Sequence, residues 1–464
     1  MKKVMDLNTR VEQLRPDMIA SLKTLVNIKS VQDAPALNAP YGKGAAKCLD
    51  AALNICDKLG FRTHNMEGQC GWAEYGEGKE MVLILGHLDI VPEGDGWTVC
   101  EPYKATEKDG KLYGRGTIDD KGPMIASVYA LKALMDSGFK PSRRIRILFG
   151  CNEETGSADM KYYREHGGEI PATGFTPDGE YPLINGEKGV SHVTFEKKLN
   201  QAGSWKLLSL EGGTAPNIVP AHAKAEIACP KNAKIGADCP DYIHVNRTNA
   251  GFEIEADGIA SHGSRPELGK NAISRLCIFL KKLPLSADVI DAVSYIADKI
   301  GMDTTGKAFG IDLKDDLSGS LSFNLGMARC DRNGNGATAL RFTIDYRWPV
   351  TFKYEDCGPE LEGAFKKAGW TIAKNEHGIS LYQPADSELV KKLVGVYKKM
   401  TGDDSPAKCI GGGTYAKSIP NILAFGPVFP GVPAPEHEPN EFIQLDRLVL
   451  NAKIYAEAIK VLAE

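Results

Sequence analysis

The apolar run Met81–Leu85, followed at once by G-H-L-D-I-V-P, constrains this chain more than any other stretch. The run reads as a buried strand. His87 and Asp89 come directly after it, and side chains two apart on an extended backbone point to the same side. An imidazole placed in this way can bind a metal ion while the carboxylate orients it through its second ring nitrogen. Alone, the pair is an ordinary structural histidine at a strand end. The rest of the chain changes that reading, because it supplies matching acids and a second histidine.

The first 180 residues alternate strands and helices. Helical spacing runs over 9–28 (Val11, Leu14, Met18, Ile19, Leu22, Leu25, Val26) and again over 43–59. Strands are expected at Phe61–Met66, Gly71–Tyr75, Met81–Leu85, Lys111–Arg115, Arg143–Cys151 and Phe175–Pro177, with helices at Met124–Leu134 and from Ser157 to about His166. Gly86–Pro102 is a long Gly/Pro-rich loop of the kind that carries function. Polar residues at the carboxyl ends of alternating strands describe an open α/β sheet, which places its site outside those ends. After Gly189 the texture turns to alternating runs such as V-S-H-V-T-F-E and A-L-R-F-T-I-D-Y-R, interleaved with helical stretches at 271–283, 289–300 and 356–368. A helix over 387–401 and a terminal one over Leu445–Leu462 complete the chain. The expected fold is α/β, with a catalytic domain built from a mixed, mostly parallel open sheet flanked by helices. Residues 1–188 form its first segment and 385–464 its second, around an inserted α+β domain over 189–384.

Candidate ligands occupy four further positions: Asp119 in G-R-G-T-I-D-D-K-G-P, Glu154 in N-E-E-T-G-S, Asp178 in F-T-P-D-G and His437 in P-A-P-E-H-E-P-N-E. Each has a plainer reading by itself. Asp119–Asp120 makes a turn and helix cap, Glu153–Glu154 a solvated helix start favoured by the dipole, and Asp178 a turn. Taken with His87 they are two imidazoles and three carboxylates, a donor set for one or two divalent ions such as zinc, manganese or cobalt. If one carboxylate bridges, five residues make two three-ligand sites, the geometry in which ions stand ~3.5–4 Å apart. Glu153 is then the natural general base beside Glu154, although spacing equally allows Glu153 as ligand and Glu154 as cap. In G-G-G-T-Y-A-K, Gly411–Lys417, glycines such as Gly413 let backbone approach a ligand, and Lys417 is placed to pair with a substrate carboxylate. The absence of G-x-x-x-x-G-K-[ST] argues against a phosphate loop.

Bulk properties narrow the classes. A net charge of -4 without a basic tract argues against nucleic acid. The apolar runs are too short to span a bilayer, and M-K-K-V-M-D-L-N-T-R has no apolar segment of the signal type. Eleven cysteines without a C-x-x-C pair point to reduced thiols in the cytoplasm, leaving any metal to His and carboxylates.

These motifs, in this order and across essentially the whole chain, resemble the di-metal aminoacylase/carnosinase-type metallopeptidase family, and most of all its bacterial PepV-type dipeptidases. H-G-S-R-P-E-L-G-K-N-A and the late E-H-E-P-N-E belong to the same match. The resemblance implies two divalent metal ions, one held by His87, Asp119 and Asp178, the other by Asp119, Glu154 and His437. It also implies Asp89 orienting His87, Glu153 as general base and a cis bond after Asp119. The inserted domain would be a lid, enlarged into two similar halves so that a monomer suffices. The lid's His262 would steady the oxyanion, and Asn217 and Arg347 would contact substrate. Relatives often carry Arg where this chain has Lys417, a point charge rather than a bidentate fork. The remaining histidines (64, 166, 192, 222, 244, 377) are read as surface or packing residues.

The activity so implied is hydrolysis of dipeptides with free termini by a metal-activated water. An N-acyl amino-acid deacylase of the acetylornithine or succinyl-diaminopimelate type would share all the metal residues and remains the alternative. A non-catalytic peptide-binding protein on the same fold is disfavoured, because ligand, base and oxyanion positions are all filled.

Overall fold

The computed structural model describes residues 6–236 and 238–464; the first five residues of the N-terminal stretch discussed above lie outside the described residues. The chain divides into two compact units, one of residues 1–185, 383–408 and 413–464, the other of residues 186–382 and 409–412.

The first unit is built on a sheet with strand order Arg62–Met66, Cys70–Tyr75, Arg144–Gly150, Met81–His87, Thr173–Thr176, Ile422–Ala424, then Ile184–Glu187, along which the chain leaves this unit. The four strands from Arg144–Gly150 to Ile422–Ala424 run parallel. Met81–His87 lies at the centre and is buried at every position, as an uninterrupted apolar run with neighbours on both sides must be. Helices cover the faces. Lys121–Asp136 is buried along most of its length and packs against the terminal helix Leu445–Ala463 and against Arg15–Val26, while Lys43–Lys58 covers the first two strands.

Two expectations are corrected in detail. The helix expected over 9–28 is broken at Leu14 into Leu7–Gln13 and Arg15–Val26. Pro16 has no N–H to continue the ladder and its ring crowds the preceding turn. The strand expected to reach Arg115 stops at Tyr113, because Gly114 turns the chain with φ of +148°.

The second unit carries an eight-stranded sheet in the order Ile243–Arg247, Gly251–Asp257, His222–Ala228, Lys206–Gly212, Ser322–Asn333, Gly336–Trp348, Gly189–Lys198, Thr371–Gly378. Every pairing is antiparallel, and the two four-strand runs meet through one registered pair, Gly212 with Ala328. Gly189–Lys198 alternates buried and half-buried positions through Glu196, the mark of a sheet with one covered face. Its core includes Phe195, stacked at 3.8 Å on Phe365 from the helix Gly358–Lys367. Ala272–Leu280 and Ala287–Lys299 pack on the same core. All eleven cysteines are free, and among the described residues no helix is long and apolar enough to cross a membrane.

Candidate metal centre

In the first unit His87 pairs with Gly150 at the carboxyl end of the parallel strands, and the site grows from the segments that leave them. His87 is the last residue of its strand and is 1% exposed. Its Nε2 lies 2.9 Å from Asp119 Oδ1 and 3.9 Å from Asp178 Oδ2. The other oxygen of Asp119 lies 2.9 Å from His437 Nε2, which is also 3.1 Å from Glu154 Oε1. One carboxylate thus faces both imidazoles, one on each oxygen. Two groups of ligand atoms fall within 4.8 Å of one another: His87 with Asp119 and Glu154, and His87 with Glu153 and Asp178. The five expected ligand positions and Glu153 are therefore brought together in this unit.

Asp89 does something other than expected. The partner of His87 Nδ1 is the Asp89 backbone carbonyl, at 2.9 Å. The carboxylate stands 3.6 Å away and instead accepts the backbone N–H groups of Glu153 and Glu154, each at 3.2 Å. The i, i+2 relation holds, but the chain curls after the strand and presents main chain to the ring.

Two tethers escaped the sequence. Glu441, fully buried, takes Arg115 Nη1 at 2.8 Å and the N–H groups of Gly116 and Ile118 at 3.0 Å. This fixes the turn that presents Asp119 to the loop that presents His437. His437 itself has φ of +62°, a region that non-glycine residues enter at a cost of order 1 kcal/mol and that clusters at functional sites. The second tether is Asp120, whose Oδ2 accepts the His87 N–H at 3.2 Å; the Asp119–Asp120 peptide is cis. A Cβ on Gly86 would come within 2.1 Å of that oxygen, so only glycine lets Asp120 approach. Arg115 and Glu441 sit inside G-R-G and P-N-E, and two opposite charges embedded in Gly/Pro-rich motifs were the available signal.

The charges are unbalanced. Burial raises Glu153 well above the carboxylate range and the nearby Asp178 adds to it. Burial and Asp119 raise Glu154; burial and Asp178 raise Asp120. Burial works against Asp119 too, yet hydrogen bonds from His437 and His87 hold it below its usual range. Those contacts, with Glu154, lift His437 to about 11. Burial alone would lower His87, and Asp119 raises it regardless. Crowded, buried acids that lift one another, with Asp120 Oδ1 lacking a protein partner, make a pocket that favours cations. Imidazole and carboxylate donors suit borderline and hard divalent ions, so the residues fit a metal centre.

Gly413 and Lys417 also lie in this unit, and Lys417 folds back so that its Nζ is 3.0 Å from where Gly413 would carry a Cβ. The second unit gathers the other expected residues. Gly263, beside His262, donates its N–H to Asn217 O at 2.7 Å. A Cβ on Gly263 would stand 2.8 Å from Asp345 Oδ2. Asp345, buried, takes Arg347 Nε at 3.1 Å and Nη2 at 2.8 Å, and Arg347 Nη1 donates to Gly411 O at 2.7 Å. His262, Asn217 and Arg347 thus share one neighbourhood of that unit, with His262 Nδ1 2.6 Å from Ser264 Oγ.

The model of peptidase family M20/M25/M40 matches residues 83–461. The chain belongs to this family. The curated relatives include "Putative dipeptidase YtjP" of Bacillus subtilis (strain 168), 35% identical over 99% of this chain and 100% of that protein. The Beta-Ala-Xaa dipeptidase of Lactobacillus delbrueckii subsp. lactis is 32% identical, covering 98% of each. Among solved M20-like folds, human carnosine dipeptidase 1 superposes with a TM-score of 0.55 at 17% identity, covering 98% of this chain and 99% of that one. The di-peptidase Dug1p of Saccharomyces cerevisiae gives 0.57 at 14%, covering 98% of each. At such identities the structures speak for the fold, which is the mixed α/β architecture expected from the sequence.

Proposed function

We propose that this chain is a metal-dependent dipeptidase that hydrolyses the amide bond of dipeptides with free termini. The observation that carries the reading is the Asp119 carboxylate set between the two imidazoles, 2.9 Å from each, with Glu153 and Glu154 held beside it through their backbone. The dipeptidase names of relatives aligned end to end support the substrate class.

In the proposed assignment His87, Asp119 and Asp178 would hold one divalent ion, and Asp119, Glu154 and His437 a second. When bound, such ions polarise the amide carbonyl and bring the pKa of water from 15.7 to about 7. Glu153 takes the proton from the attacking water and returns it to the leaving amine. Its raised proton affinity suits it to hold that proton between the two steps. Asp89 keeps Glu153 and Glu154 in fixed register. Lys417, folded over Gly413, offers a positive charge to a substrate carboxylate. His262 as oxyanion donor, and Asn217 and Arg347 as substrate contacts, are carried over from the family resemblance. Zinc or manganese suits the donor set, and free thiols throughout the chain suit a reducing cytoplasm. A monomer is the proposed state.

The test is hydrolysis of a dipeptide panel with N-acetyl-ornithine alongside, by chelator-treated protein before and after zinc or manganese is restored. Metal-restored cleavage of Ala-Ala is expected. Metal-restored cleavage of the N-acyl amino acid alone would replace this reading by a deacylase, and binding of metal without any cleavage by a non-catalytic protein.

A further inference from the structure

The segment Cys151–Glu154 leaves the Arg144–Gly150 strand with four successive backbone N–H groups, and two buried carboxylates collect all four. Asp89 takes those of Glu153 and Glu154. Asp159, from the first turn of the helix Ala158–Glu165, takes those of Cys151 at 2.6 Å and Asn152 at 3.0 Å on its Oδ2. The same oxygen accepts the hydroxyl of Tyr415 at 2.5 Å, and the other oxygen accepts the Met160 N–H at 2.7 Å. Both Asp159 and Tyr415 are fully buried. A buried carboxylate requires such donors, because an unsatisfied one bears the full desolvation cost.

Tyr415 belongs to G-G-G-T-Y-A-K, two residues after Gly413 and two before Lys417. Its ring stands edge-on to His87, 6.2 Å between centroids at 82°. A Cβ on Gly150 would fall 2.0 Å from its hydroxyl, so the strand ends in glycine where the tyrosine arrives. The tyrosine therefore touches the ring of His87, the root of the Glu153 loop and the carboxylate that holds that loop.

We infer that Tyr415 and Asp159 are positioning residues for Glu153, joining the glycine-rich segment that carries Gly413 and Lys417 to the loop that carries the base. Neither touches the reacting atoms. Asp159 fixes the two residues before Glu153, and Tyr415 fixes Asp159. A displacement of the glycine-rich segment is thereby transmitted to the base through one hydrogen bond. The inference rests on the assignment of Glu153 as general base.

The experiment compares Tyr415→Phe, which keeps the ring and removes the hydroxyl, with wild type and with Glu153→Asp, on the fully metallated enzyme with Ala-Ala as substrate. Loss of one bond to a buried charge and a base displaced by a fraction of an ångström should lower kcat by roughly 10- to 100-fold, with KM within about twofold of wild type. Two ions per chain should remain, and the cobalt(II)-substituted protein should keep its visible absorption spectrum. The losses in Tyr415→Phe/Glu153→Asp should fall short of their product, because both act through one group. Wild-type kcat in Tyr415→Phe, loss of bound metal, or losses that multiply would overturn the inference. If Tyr415→Phe does not fold, Asp159→Asn is read by the same criteria. Undiminished activity in Glu153→Asp and Glu153→Ala would overturn the base assignment, a result distinguishable from failure of the tie.

Discussion

Arg115 and Glu441 form an ion pair from which water is excluded, each side chain 1% exposed, between positions 326 residues apart in the chain. Glu441→Ala would leave a buried guanidinium without its charged partner and the N–H groups of Gly116 and Ile118 without their acceptor. Breaking a buried pair by removing one partner costs about 3–5 kcal/mol, and chemical denaturation should report a loss of that order. Glu441→Gln keeps an acceptor and should lose less. A loss within error of zero for Glu441→Ala would mean that the two loops hold their positions without the pair.

The bridging assignment separates cleanly by metal analysis. Asp119→Ala should lose both ions, because its two oxygens face different imidazoles. His437→Ala should retain one ion per chain. Glu153→Ala should retain both and lose about 10²–10⁴ in kcat, the range for a positioned acid–base group. Full metal occupancy in Asp119→Ala would remove the bridge.

Much of this was legible beforehand, for physical reasons. The central strand could be read over Met81–Leu85, two residues short of its end at His87, because a central parallel strand is apolar on both faces and has no competing period. The gathering of His87, Asp119, Glu154, Asp178 and His437 in one unit could be anticipated because imidazoles and carboxylates are the residue types that suit divalent ions. Tyr415, Asp159 and Glu441 were not legible. Glu441 takes backbone N–H groups 325 and 323 residues away, Asp159 takes those of Cys151 and Asn152, and Tyr415 meets the Asp159 carboxylate across 256 residues. A backbone group carries no residue identity, and spacing does not foretell a contact so distant. The Asp89 carbonyl was missed for the same reason. The break at Leu14 was readable from Pro16, but the apolar spacing on either side outweighed it.

Asp345 and Arg347 offer a prediction confined to the second unit. The carboxylate holds the guanidinium side-on, while Nη1 is anchored on Gly411 O, so the direction of the fork is set by Asp345. Asp345→Asn should raise KM for dipeptides severalfold with metal content unchanged, since one amide oxygen replaces two charged acceptors. An unchanged KM would separate Arg347 from substrate.

Glu93 gives a pH dependence of known sign. The Tyr103 hydroxyl at 2.6 Å and Lys29 Nζ at 2.9 Å lower its carboxyl from 4.5 to about 2. The folded value is depressed, so the stabilisation is complete above 4.5 and is lost as pH falls towards about 2. The group is largely solvated, so the effect is small and weakens with salt. Thermal unfolding of Glu93→Gln should fall below wild type at neutral pH and converge with it in acid. A constant gap down to pH 2 would place the effect elsewhere.

The loop carrying His437 closes on Glu154 across 283 residues of sequence. In the proposed assignment this makes the order of synthesis a safeguard. The earlier ligands can emerge and fold while a long stretch of chain is still being made, yet the second ion has no imidazole until synthesis has reached His437. A product cut short between Asp178 and that loop would carry the base and the bridging carboxylate and still be unable to complete the pair of ions. Hydrolytic power would thus be withheld from products that stop short of that loop.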